Sequence, residues 1–239
     1  MSVQPERAQL TGLDDSHLVN LPGGHRLQLP AADAFSALRE DAAAAGFDLV
    51  IASSFRSFER QLAIWNGKAR GERPVYDDND EPVMLADMSP GDRLHAILRY
   101  SAIPGTSRHH WGTDLDVYDA RAVPEGYRLQ LSTAEVSAGG PFDALHCWLD
   151  LRMAAQTSHG FYRPYSEDRG GVAPERWHLS YAPLSREWER RMSAEVLVAC
   201  WNANSDELQL RDEIEKTLPG ILQRYVEVPG SWCGPRAKA

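Results

Sequence analysis

Pro104-Gly105-Thr106-Ser107-Arg108-His109-His110-Trp111-Gly112-Thr113-Asp114-Leu115-Asp116-Val117 is the stretch from which the rest of the chain is read. It follows a helical segment and a Pro-Gly turn, and it closes in a short alternating run that reads as a strand. A histidine at the end of a loop is thus followed, seven residues on, by an aspartate on a strand. A neutral imidazole and a carboxylate are both good zinc ligands, and a zinc site needs three or four such groups. One further histidine is required, and Glu175-Arg176-Trp177-His178 supplies it with an acid close by.

The composition narrows the field of functions. A chain of 239 residues, 43% hydrophobic and 25% charged, has the make-up of a soluble globular protein with a substantial core. Its net charge of −9 argues against a phosphate-backbone partner, which wants clustered Lys and Arg. The densest basic run, Arg186 to Arg191, is interleaved with Glu187 and Glu189 and reads as a solvated helix face. Cys147, Cys200 and Cys233 lack C-x-x-C pairing, so neither a disulfide framework nor a thiolate zinc knuckle is expected. No apolar run is long enough to span a bilayer. Met1 to Arg7 carries no signal-peptide pattern, so a cytoplasmic location is expected for the chain as written, and a periplasmic one if a leader has been removed.

Periodicity and punctuation divide the chain into alternating elements. A short strand is expected at 26–29 and a helix at 31–45, with Gly46 at its C-terminal end. A buried strand at 47–52 runs into Ser53-Ser54-Phe55-Arg56-Ser57, where Ser57 caps a helix over 58–70. That puts Arg56 at a strand-to-helix junction, where side chains commonly face a cleft. The acidic loop Asp77 to Glu81 lacks the glycine and distal glutamate of a calcium loop. Ser89-Pro90 opens another helix. A strand at 127–131, a capping box at Ser132 and Glu135, a helix over 141–157, a loop over 161–173 and a strand over 177–182 follow. Ser185 is expected to cap a helix to about Asn204, and a last helix spans 206–218 before Pro219-Gly220. The expected class is α+β, a mainly antiparallel sheet flanked by helices with a C-terminal helical appendage. Residues 1–183 form the main domain, and 184–239 an extension packed on it.

His109, Asp116 and His178 give a metal two neutral nitrogens and one carboxylate, leaving a fourth position open, which is the catalytic rather than the structural pattern. Glu175, three residues before His178, is near enough to take a proton from a water on the cation. Asp114 lies two residues before Asp116 and shares its strand face, so it can orient a ligand, meet substrate or bind in place of Asp116. His110 reads as supporting or exposed, and Trp111 and Trp177 as core aromatics or cleft walls. A Cys147–His146 hydrolase is disfavoured, because adjacent helical residues point apart.

Ser107-x-His109-x-x-Gly112-x-x-x-Asp116 with Glu175-x-Trp177-His178 resembles the zinc D-Ala-D-Ala carboxypeptidases and dipeptidases of the VanY/VanX type, peptidoglycan peptidases of Hedgehog-like fold. Ser54-Phe55-Arg56-Ser57 with Gln61 is similar to a further segment of that family, so the match runs over roughly residues 47–182. The resemblance implies zinc on His109, Asp116 and His178, with Glu175 as general base and then acid. It further implies Arg56 on the oxyanion or the substrate carboxylate, and Ser107 and Gln61 on the peptide. Arg56 also has a physical case of its own, as a fixed guanidinium aimed at developing negative charge. Asp114 stands where the family usually has a small residue, and it is expected to bear on substrate preference. The expected activity is hydrolysis of a peptide bond next to a D-amino acid in peptidoglycan-derived peptides. D,D-dipeptidase, L,D-carboxypeptidase, endopeptidase and non-catalytic binding-module readings stand as alternatives.

Overall fold

A computed structural model describes residues 7–204 and 207–229. The expectations for Met1 to Glu6, for the start of the last helix at Asp206 and for Cys233 therefore lie outside the described residues. In chain order the elements are α1 (Arg7–Leu10), β1 (Leu18–Asn20), β2 (Arg26–Gln28), α2 (Leu29–Ala44), β3 (Leu49–Ser53), α3 (Phe58–Ala69), α4 (Pro90–Leu98) and β4 (Asp114–Asp119). They continue with α5 (Thr133–Val136), α6 (Asp143–Ala154), β5 (Phe161–Tyr162), β6 (His178–Tyr181), α7 (Ala182–Arg191), α8 (Ala194–Asn204) and α9 (Arg211–Ile221).

β4 organises the molecule because its sequence alternates between two chemistries. Leu115 and Val117 point to one face and join Phe35 and Leu38 of α2, Leu145 and Leu149 of α6, and Leu179 of β6 in one apolar cluster. Full burial of each such side chain is worth roughly 1.5–3 kcal/mol, which fixes the register. Asp114 and Asp116 are thereby forced to the opposite face. The sheet order is β3-β4-β6-β5, antiparallel throughout, with β1 and β2 forming a separate two-stranded ribbon. The structure is α+β with helices flanking an antiparallel sheet.

A second apolar cluster is shared between the middle and the end of the chain. Phe58 and Trp65 of α3 and Leu94 and Ile97 of α4 pack with Leu197 and Trp201 of α8 and Ile214 and Leu218 of α9. Trp65 Nε1 donates to the Gln209 carbonyl at 2.9 Å, and Trp201 Nε1 to the Pro104 carbonyl at 2.8 Å. The C-terminal helices are therefore one wall of this core.

Caps explain where several elements begin. Ser57 accepts from the Arg60 amide and Ser89 from the Asp92 amide, starting α3 and α4 where the sequence expects them. Ser132 and Glu135 form the expected capping box. The strand expected at 127–131 is absent, and Glu135 is the reason. Its carboxylate accepts from the Gln130 amide and the Tyr127 hydroxyl, and Leu131 turns into the left-handed region, so these residues curl around one acid. The single helix expected from Ser185 is instead α7 and α8, because Met192 is extended and Ser193 accepts from the Val196 amide to start a new helix. α7 also begins earlier, at Ala182 with Pro183 in its first turn, while Ser185 is buried within it. α9 passes through Pro219 to Ile221, because Ile221, Leu222, Tyr225 and Val226 are buried beyond the proline and offset its cost of about 3 kcal/mol.

Candidate metal centre

The β4–β6 register sets Asp116 directly opposite His178. Facing side chains in an antiparallel pair lie close enough to share a ligand. His109 arrives from a single 3-10 turn, Arg108–Trp111, that ends in Gly112 at φ 67°. A side chain at Gly112 would be strained at that φ, and its Cβ would run into the Leu18 side chain. The Gly112 carbonyl meanwhile accepts from the Gln28 amide at 2.8 Å, docking the turn on the ribbon.

The ligand atoms of His109, Asp116 and His178 lie within 4.8 Å of one another, and all three residues are buried. His109 Nε2 is 3.4 Å from Asp116 Oδ2, and His178 Nδ1 is 3.4 Å from Asp116 Oδ1. Both tautomers are dictated from behind. His109 Nδ1 faces the Ser54 carbonyl at 2.9 Å, which can only accept, so Nε2 keeps its lone pair. His178 Nε2 faces Asp114 Oδ1 at 3.0 Å, which leaves Nδ1 turned to the centre.

The polar balance of the cluster tests whether a metal ion fits. Asp116 Oδ1 is buried and accepts no hydrogen bond among the described residues. Burial, with Glu175 nearby, pushes the Asp116 carboxyl up to about 6 against the opposing pull of His178 and Arg56. Burial and the neighbouring Arg56 and His178 hold His109 well below the usual imidazole range, so it is neutral. For His178 burial acts downward, yet hydrogen bonds with Asp114 and Glu175 and the charge of Asp116 carry it up to about 10. Packed carboxylates draw a proton onto His178 even with the Arg56 guanidinium in the same cleft. A divalent cation supplies positive charge in its place and returns Nδ1 to its ligating form. The donor set and the orphaned oxygen fit a metal ion.

Around the three ligands, the cleft is lined by Arg56, Ser107, Tyr165, Glu175 and Trp177. Glu175 Oε2 is 3.4 Å from His178 Nδ1, and its amide donates to the Tyr165 carbonyl at 3.0 Å. Arg56 donates from Nη1 to Gln61 Oε1 at 2.9 Å and from Nη2 to Ser53 Oγ at 3.5 Å. Burial lowers its pKa and the charges of Asp116 and Glu175 raise it. The guanidinium stays charged throughout. Ser107 is nearly buried at the cleft wall, and Trp177 packs with Val136 and Phe142 while lining the opening.

Two residues expected to meet substrate sit elsewhere. Gln61 is 0% exposed, because α3 turns it inward, where it donates to the Ala102 carbonyl at 2.6 Å and accepts from Arg56. It holds Arg56 instead of touching a peptide. Asp114 is likewise 0% exposed and behind His178, its oxygens taken by Arg108, Thr113 and His178. Trp111 is core, 4.6 Å beneath the Arg108 guanidinium. His110 is fully buried and bridges the Gly105 amide and the Arg56 carbonyl. Cys147 is exposed while His146 is buried, so they form no dyad.

Tyr165 and Arg108 are the residues that sequence reasoning passes over. The Tyr165 ring meets His178 edge-on at 5.1 Å, and nothing in a Gly-rich loop marks it beforehand. Arg108 did leave a signal: two acids on one face of a buried strand need a counter-charge, and Arg108 lies six residues before the first of them.

The VanY family model, described as D-alanyl-D-alanine carboxypeptidase, matches residues 24–184. An uncharacterized protein of Haemophilus influenzae is 48% identical over 107 residues, covering 43% of this chain and 72% of that protein. Among solved structures, VanYB in complex with D-alanine-D-alanine is 20% identical at a TM-score of 0.49, covering 78% of this chain and 90% of that one. The LdcB LD-carboxypeptidase is 22% identical at a TM-score of 0.47, covering 86% and 80%.

Proposed function

The chain belongs to the VanY family of D-alanyl-D-alanine carboxypeptidases, and we propose that it is a zinc-dependent peptidase that cuts beside a D-amino acid in peptidoglycan-derived peptides. The observation that carries the reading is the convergence of His109 Nε2, His178 Nδ1 and Asp116 around a buried, unsatisfied carboxylate oxygen, with Glu175 at the rim. When bound by two imidazoles and one carboxylate, zinc supplies Lewis acidity, which lowers the pKa of water from ~15.7 towards ~7 and polarises a carbonyl.

The chain's own groups do the rest. Glu175, tethered through its amide to Tyr165, takes a proton from water in the cleft and passes it to the departing amine. Arg56, braced by Gln61 and Ser53, faces the negative charge that grows on the scissile carbonyl oxygen. His109 and His178 are held in their ligating tautomers by Ser54 and Asp114, so no reorganisation is needed when substrate arrives. Glu175 also weighs against a purely binding role, because a binder needs no base.

Defined muropeptides, incubated with the protein with and without a chelator and read by mass, test the reading. Loss of one terminal alanine from a stem ending in D-Ala-D-Ala, stopped by the chelator and restored by zinc, is expected. Stems that stay whole with zinc-loaded protein overturn it. Trimming only of stems with an L,D-linked end, or internal cuts, moves the substrate to that bond.

A further inference from the structure

Behind His178 a chain of buried polar groups leads away from the cleft and ends on α7. Asp114 Oδ1 receives His178 Nε2 at 3.0 Å and Arg108 Nε at 2.9 Å, while Oδ2 receives the Thr113 hydroxyl at 2.6 Å. Arg108 donates from Nη1 to Glu189 Oε2 at 2.6 Å and from Nη2 to the Tyr162 hydroxyl at 2.8 Å and Ser180 Oγ at 3.0 Å. Its planar face lies 4.6 Å over the Trp111 ring. Arg108 is 2% exposed and each of its side-chain nitrogens is engaged, four of the five N–H groups being donated within the protein.

Buried charges of this kind cost several kcal/mol each in lost hydration, and well-packed apolar side chains often stabilise a fold as well or better. Stability alone is thus a poor reason for the arrangement. What it achieves that an apolar core cannot is orientation. A carboxylate pinned by a fixed arginine on one side presents its oxygen in one direction to the ring on the other. Partners of this sort set the tautomer, the ring angle and the basicity of a ligating histidine. Glu189 lies beyond residues 24–184, the part of the chain matched by the family, so this anchor is added by the C-terminal helices.

We propose that Asp114, Arg108 and Glu189 are positioning residues of the metal centre, fixing His178 so that Nδ1 meets the ion and thereby setting how tightly the ion is held. α7 is on this account a working part of the centre. The inference rests on the metal-peptidase reading above and adds to it which residues govern affinity.

The test measures the zinc dissociation constant by competition with a chromophoric chelator, together with the melting temperature of metal-free protein, for the parent, Asp114→Asn, Asp114→Ala and Glu189→Gln. Asp114→Ala is expected to weaken zinc binding roughly 10- to 100-fold. Asp114→Asn keeps an acceptor for the ring and should lose less. Glu189→Gln, an isosteric change at a partly exposed carboxylate that also accepts the Val228 amide, should weaken binding a few-fold, more than its lowered metal-free melting accounts for. Should Asp114→Ala fail to fold, the other two variants decide. Parent-like affinity in Asp114→Asn and Glu189→Gln, or losses matched by equal loss of metal-free stability, overturns the proposal. A parent that binds no zinc instead overturns the reading on which it rests.

Discussion

Replacing Glu175 by glutamine removes a proton acceptor and leaves the shape of the cleft wall almost unchanged. Turnover should fall about 10²- to 10⁴-fold, while zinc stays near about one per chain. Equal turnover in variant and parent, at matched metal content, removes Glu175 from the chemistry. At this scale the sequence was most legible where ligands lie near a turn and a strand. His109 and Asp116 are linked by one short motif, and His178 carries its own acid three residues before it. Burial was the illegible part. Gln61 and Asp114 look like substrate contacts in a string of letters, and only packing reveals that both face inward to steady Arg56 and His178. Tyr165 was illegible for the converse reason: its place beside His178 depends on how the loop between β5 and β6 folds.

α3 carries its own start signal, and that signal lies one residue from the Arg56 guanidinium. Ser57→Ala removes the oxygen that accepts the Arg60 amide and should cost about 1 kcal/mol, read as a lowered denaturation midpoint with unchanged slope. An unaltered midpoint shows that packing of Phe58 and Trp65, not the cap, defines the helix start. Elements with local signals of this kind were readable in advance: the caps at Ser57 and Ser89, the box at Ser132 and Glu135, and the alternation of β4. Those decided by distant partners were not. The segment 127–131 reads as a strand by composition, yet Glu135 takes the Gln130 amide that a sheet would need. Pro219 reads as a stop, yet four buried residues beyond it keep the chain turning. β5 is only two residues long and gains its identity from pairing with β6.

Across the whole molecule, two apolar cores hold the sheet and the C-terminal helices, and titration exposes a weakness in one of them. His146 of α6 is fully buried, its Nε2 has no partner among the described residues, and burial, with Arg163 and Arg176 nearby, lowers its pKa to about 3. The unfolded ring takes a proton near pH 6.5 and the folded ring does not, so stability is intact above that pH and declines as pH falls towards 3. The decline contributed by this ring should be roughly 1 kcal/mol per pH unit, and His146→Leu should flatten it in urea titrations at pH 7 and pH 5. Parallel curves for variant and parent would assign the acid lability elsewhere. On the same scale, the sharing of Trp201, Leu197 and Ile214 with α3 and α4 could not be read from helical periodicity, which gives a face but not its partner. The candidate metal centre depends on all of this packing at once, because the residues that would hold the ion come from a turn, a central strand and the strand beside it. Anomalous diffraction at the zinc edge from crystals grown with zinc tests that dependence most directly. One strong peak is expected about 2.0–2.2 Å from His109 Nε2, His178 Nδ1 and an Asp116 oxygen. A peak elsewhere on the protein, or none at this cluster, would contradict it.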